Sequence, residues 1–178
     1  MSPLHSKAEM ISAIIDSGKR AQEWFQGISA GEFFHREGEV WSVSDNVDHL
    51  IKSINPVAKA LKLPKAAMQA MFSKPEKASR TYEEVCAVYQ ETLARGGVAS
   101  GSYLPNQETP EHPEEEKMES LKNLSASIGK LVSIVEKWDD SALDEAQLPH
   151  PLLGKLTVRE MLFFTIYHIL RHASQEGD

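Results

Sequence analysis

The chain has a single cysteine, Cys86, in 178 residues, so no disulfide can form within it and the fold must rest on burial and hydrogen bonding. That thiol lies in an apolar helical stretch and reads as a small core residue, not a nucleophile. Positive charge is also scarce: 19 Lys and Arg against 26 Asp and Glu leave a formal charge of −7. Nucleic-acid affinity comes largely from cations that neutralise phosphates, so this balance argues against a DNA or RNA partner. No uninterrupted apolar run reaches the ~20 residues that span a bilayer. The segment from Met1 to Lys7 lacks the basic-then-apolar order of a signal peptide. A cytoplasmic protein with no membrane partner is the resulting expectation. Strand signals are nearly missing as well, with no Asn-Gly or Asp-Gly turn and no sustained two-residue alternation, which leaves little room for a sheet.

What is present points to helices. The composition, 41% hydrophobic and 25% charged, is that of a globular chain, and its length suits one domain over residues 1–178. Ser6-Lys7-Ala8-Glu9 has the form of a capping box and opens a helix that runs to Gly27. Residues 28–40 read as a connection. A second helix opens at Ser42 or Ser44 and continues to Leu61, with a kink expected at Pro56. A short helix over 65–72 follows, and Thr81-Tyr82-Glu83-Glu84 opens a third long helix that stops at Gly96-Gly97. The glycine- and proline-containing stretch from Gly96 to Glu114 reads as a loop across the bundle end, with an active-site lid as its alternative. Pro113 and three following glutamates place negative charge at a helix start, and Leu121, Leu124, Ile128, Leu131 and Val135 carry its apolar stripe. Asp139 to Leu156 reads as a connection. Thr157-Val158-Arg159-Glu160 opens the last helix. The expected architecture is all-α, a bundle of four main helices with additional short ones.

On that last helix, Val158, Met161, Thr165, His168 and His172 recur at steps of three and four, so both histidines continue the buried stripe. Residues i and i+4 lie one above the other, and two imidazoles at this spacing can close on one metal ion. Buried imidazoles need partners, and the pattern leaves two readings open: hydrogen-bonded core histidines or metal ligands. His49 is placed differently. It lies on a flank with Asn46, Ser53 and Ala60, away from the stripe of Val47, Leu50 and Ile54, and spacing alone puts it on the surface. Asp45, Asp48 and Glu160 read as caps or exposed charges. His150, between two prolines, reads as a rigid loop element, Trp41 as packing beneath the second helix, and Arg171 as reaching solvent or a carboxylate. His5, His35 and His112 are isolated in terminal or loop regions.

The segment Trp41-Ser42-Val43-Ser44-Asp45-Asn46-Val47-Asp48-His49-Leu50 resembles the tryptophan-to-His-Leu segment of DinB-like proteins. His150-Pro151-Leu152-Leu153-Gly154-Lys155-Leu156-Thr157, followed by Tyr167-His168-Ile169-Leu170-Arg171-His172-Ala173-Ser174-Gln175, resembles that family's carboxy-terminal signature. The resemblance covers nearly the whole chain. It implies a divalent metal, zinc or nickel, bound by His49, His168 and His172 in a cavity at one end of the bundle, which reverses the surface reading of His49. Three neutral nitrogen ligands leave the ion charged and open to a water or a thiolate. Ile169 stands where the His-Glu-xx-His motif has its glutamate, so no base is adjacent in sequence. The function expected from the resemblance is a metal-dependent transferase or hydrolase acting on a small molecule, with a low-molecular-weight thiol as one partner. Two alternatives stand beside it, a metal- or ligand-binding stress-associated bundle without catalysis and a metal-free bundle acting as a homodimer.

Overall fold

The computed structural model describes residues 6–107 and 109–174, so the readings at His5 and Gln175 fall outside the described residues. Within them the chain is all-α, with seven α-helices and one small antiparallel hairpin. The four-helix bundle consists of α1 (Lys7–Gly27), α3 (Val43–Ala60), α6 (Pro113–Val135) and α7 (Val158–His172). In it α3 packs on α6, and α1 packs on both α6 and α7. The short α2 (Ala30–Phe34) and α4 (Lys65–Phe72) and the longer α5 (Tyr82–Ala94) complete the set, with α5 laid against α7.

Local chemistry sets most of these boundaries. The capping boxes read at Ser6, Thr81 and Thr157 are all formed, each side chain accepting from the backbone of a glutamate three residues on. Ser42 is the cap of α3, closed reciprocally by Asp45. Pro113 occupies the first turn of α6 ahead of Glu114, Glu115 and Glu116, where a missing N–H costs nothing and acidic charge meets the helix dipole. Pro56 lies inside α3 without ending it; the helix continues to Ala60.

Two connections contain more structure than their sequence suggested. Residues 28–40, expected to be irregular, hold α2, nucleated by a further capping box between Ser29 and Glu32 that outweighs the glycine at position 31. The 139–156 connection contains a short 3-10 turn, Ser141–Asp144, and then the strands β1 (Gln147–His150) and β2 (Gly154–Thr157). Their register pairs Gln147 with Thr157 and His150 with Gly154. The turn is Pro151-Leu152-Leu153, and Gly154 takes φ +74, the left-handed conformation that a three-residue hairpin loop requires and that glycine adopts without strain. Such a turn carries neither Asn-Gly nor Asp-Gly.

The buried side chains form one continuous cluster drawn from the bundle helices, α4, α5 and the hairpin. Helix α7 lies at its centre: twelve of its fifteen residues are buried, so it is enclosed nearly all round, and not only along the stripe its spacing defines. Phe163 is fully buried and meets Tyr82 of α5 edge-on at 5.9 Å between ring centroids. Cys86, expected in the core, is only half-buried on α5, and burial raises its thiol pKa, which disfavours the nucleophilic thiolate. No helix among the described residues is long and apolar enough to cross a membrane.

Candidate metal centre

Packing of α3 against α7 brings His49 to face His168 and His172. Nε2 of His168 lies 3.1 Å from Nε2 of His49 and 3.1 Å from Nε2 of His172. The three side chains are buried, with His49 6%, His168 3% and His172 8% exposed. The surface position that spacing alone assigned to His49 is therefore wrong. Its flank of α3, with Ser53 and Ala60, faces a cavity and not solvent. Among the described residues this trio is a group of His, Cys, Asp or Glu side chains placed to hold a metal ion, its ligand atoms all within 4.8 Å of one another. Nitrogens held at ~2.0–2.1 Å from a shared ion stand roughly 2.8–3.4 Å apart for right-angled to tetrahedral arrangements, so the two separations at His168 fit one ion.

The outer nitrogens determine which tautomers are present. Nδ1 of His49 is 2.7 Å from the backbone carbonyl of Tyr103, which can only accept, so the proton of a neutral His49 sits on Nδ1. Nδ1 of His172 is 2.6 Å from Oδ1 of Asn46, and the orientation of that amide follows from Nδ2 donating to the Ser42 carbonyl at 2.9 Å. His172 is thus also protonated on Nδ1. The Nε2 lone pairs of both rings point at His168, where two acceptors converge. Metal-binding histidines are held in this way, with the outer N–H given to a carbonyl.

Burial keeps the trio neutral. It lowers the pKa of His49, brings His172 down to about 3, and pushes His168 well below its ordinary value, where the neighbouring His172 and His49 add to the effect. Neutral imidazoles are the form that binds a metal. Aromatic rings fix the ligands from behind. Phe164 stacks on His168 at 4.8 Å, and Trp41 lies 5.0 Å from His49 and stacks on His172 at 6.4 Å between centroids.

The trio lies at one side of a cavity of about 800 Å³. Its walls are mainly apolar, from Val57, Leu93, Leu148, Leu152, Met161 and Phe164 among others, and Trp41 is part of them as well as packing on the histidines. Arg171 is the one charged side chain among the described lining residues, its guanidinium 5.9 Å above the ring of Tyr89. The 96–114 segment does more than connect. Ser100, Tyr103 and Leu104 wall the cavity, and α3 fastens them down: Lys52 donates to the Leu104 carbonyl at 2.8 Å, and Asp48 accepts from the backbone N–H of Asn106 at 2.9 Å.

The acidic residues are employed elsewhere, as their places at helix starts suggested. Asp45 accepts from the Ser42 N–H and both ends of the Arg36 guanidinium; burial pushes its carboxyl up, but these donors more than offset it and leave the pKa low. Glu160 is held in the same way by Arg80 and the Thr157 N–H. Asp48 pairs with Lys52. None of the three lines the cavity. His150 does line it, contrary to its reading as a loop element, and it ends β1. His35 and His112 cap α2 and α6, remote in sequence from the cluster and absent from the cavity wall.

Sequence reasoning missed the Tyr103 carbonyl, because a backbone acceptor leaves no residue-type signal. It also passed over Asn46, whose place one turn before His49 on the same flank was the available clue. Among known proteins, a family model described as the DinB superfamily matches residues 13–175. No curated protein and no solved structure matches the chain.

Proposed function

The chain belongs to the DinB superfamily, and from that premise we propose that His49, His168 and His172 hold a divalent ion, zinc or nickel, at the edge of the apolar cavity. The protein on this reading is a metal-dependent transferase or hydrolase for a small molecule, and a low-molecular-weight thiol is one candidate substrate. The observation that carries the reading is the pair of locked tautomers: His49 and His172 give their Nδ1 protons to carbonyl oxygens and aim both Nε2 lone pairs at the point where His168 Nε2 lies. When bound, such an ion supplies Lewis acidity and makes a water or thiol a stronger nucleophile at neutral pH.

The chain's own residues supply orientation and dryness. Tyr103 and Asn46 hold the ligand rings, Trp41 and Phe164 pack against them, and the apolar walls exclude water from a bound substrate. Arg171 contributes positive charge to the wall, which favours an anionic group on the substrate. No carboxylate stands among the described lining residues, so a protease-type glutamate base has no support. The same lack favours a second reading, ligand capture on the metal without turnover.

The test is metal analysis of protein purified without a nickel column, on the wild type and the His49→Ala and His168→Ala variants. One equivalent of metal in the wild type and its loss in both variants supports the shared site. Equal, negligible metal in all three overturns it. Screening for conjugation of an electrophile to a panel of thiols then separates the two readings: turnover that vanishes in His172→Ala supports the enzyme, and bound metal without turnover supports capture.

A further inference from the structure

His150 is a fourth imidazole on the cavity wall, and its surroundings define what it can do. The hairpin turn folds back so that the backbone N–H groups of Leu152 and Leu153 both donate to Nδ1 of His150, at 3.2 and 3.1 Å. A nitrogen that accepts two N–H groups carries no proton, so the neutral ring has its proton on Nε2. Protonating Nδ1 would set a third hydrogen against those two, and burial opposes the charge as well, bringing the pKa down to about 4. The ring therefore has no free lone pair with which to act as a base. What remains is a single N–H donor, on a ring locked by the turn and wedged against Phe164, 4.3 Å between centroids. Among the described residues no protein group accepts from that Nε2, and because no buried side-chain nitrogen or oxygen among them lacks a partner, this N–H is one that solvent reaches. Phe164 is also the ring that stacks on His168, so the donor stands one phenyl ring away from the three-histidine cluster.

We infer that His150 is a substrate-positioning residue: its Nε2–H donates to an acceptor oxygen on a molecule whose apolar body fills the cavity and whose other end reaches the histidine cluster. The substrate class follows from the wall: a metal-binding atom at one end, an apolar spacer past Phe164, and a carbonyl or comparable oxygen opposite His150. A ligand that covers this N–H without offering it an oxygen strips its water and leaves a buried donor unpaired, which is costly, so the wall discriminates against such a ligand. The inference rests on the metal reading for the first of these features and on the hairpin geometry alone for the last.

The experiment uses cobalt(II)-loaded full-length protein and two thiols of equal chain length, hexanethiol and a counterpart bearing a ketone near its far end, with the cobalt absorption reporting sulfur binding. The quantity read is the ratio of the two affinities. This ratio should fall about three- to tenfold in favour of the plain thiol in His150→Phe, which keeps the ring but not the donor, and should be largely restored in His150→Gln, which returns an N–H. A thermal melt of each variant establishes that it is folded. A ratio unchanged in His150→Phe overturns the inference and leaves the metal site standing. Failure of cobalt to bind overturns the metal reading and this inference with it, whereas cobalt that binds but whose spectrum neither thiol alters overturns this inference alone.

Discussion

Nδ1 of His172, in the last turn of α7, donates to Oδ1 of Asn46 at 2.6 Å, while the amide nitrogen of Asn46 is spent on the carbonyl of Ser42, the cap of its own helix. The start of α3 thus sets the orientation of a ring on α7. Replacing Asn46 with leucine should leave the three imidazoles present but one of them unoriented, lowering metal affinity by about 10–100-fold. Asn46→Asp, which keeps an acceptor, should retain it. Competition against a chromophoric chelator measures both.

Added zinc or nickel should stabilise the wild type against heat, since an ion that binds only the folded state adds about 2.7 kcal/mol at a hundredfold excess over its Kd. The His168→Ala protein should show no such shift. A calorimetric scan with and without metal checks this, and an equal shift in both proteins would place the ion elsewhere.

The metal-free protein should lose stability as the pH falls below the ordinary histidine value of 6.5. Above that value His150 and His172 are neutral in folded and unfolded chains alike; below it the unfolded chain takes up protons that the folded chain, with pKa values of about 4 and about 3, refuses. Folded pKa values that are depressed mean stability present above 6.5 and lost on acidification towards the folded values, at ~1.4 kcal/mol per pH unit for each such group. Urea titrations between pH 7 and 5 should show this slope, and it should be shallower in His150→Gln.

Trp41 lies against two of the three cluster histidines, whereas Trp24 packs on Phe25 and Trp138 donates its ring N–H to the Leu61 carbonyl. Nickel binding should quench the tryptophan emission, and most of that quenching should disappear in Trp41→Phe. Undiminished quenching in the variant would argue that the ion sits away from this ring.

Phe163→Ala should destabilise the fold by about 3–5 kcal/mol, because the ring is fully buried on α7 against Tyr82 and the helix is enclosed too closely to collapse into the space. Chemical denaturation checks the magnitude. A cost below about 1 kcal/mol would show that the site relaxes.

Much of the helical frame was legible because its signals are local. The capping boxes at Ser6, Thr81 and Thr157, the proline and glutamates at the start of α6 and the stripe from Leu121 to Val135 each depend on neighbours within a turn or two. The i, i+4 spacing of His168 and His172 belongs to the same class and held. The hairpin escaped because its turn uses a glycine after three residues instead of a two-residue signature, and α2 escaped because only one short capping box announces it.

Sequence alone determined the helical class, the starts of most of the long helices and the pairing of two histidines on one face, since each follows from periodicity and from hydrogen bonds between residues close in the chain. Only the tertiary structure decided that His49 turns inward, 119 residues from its partner His168 and against what its own helix pattern indicated. It also decided that a backbone carbonyl at Tyr103 and an amide at Asn46 fix the tautomers, and that the turn after His150 makes that ring a donor. The physical reason is the same in each case. These contacts join atoms that no local period relates, and their chemistry lies in backbone groups or proton positions that the identity of a residue does not specify.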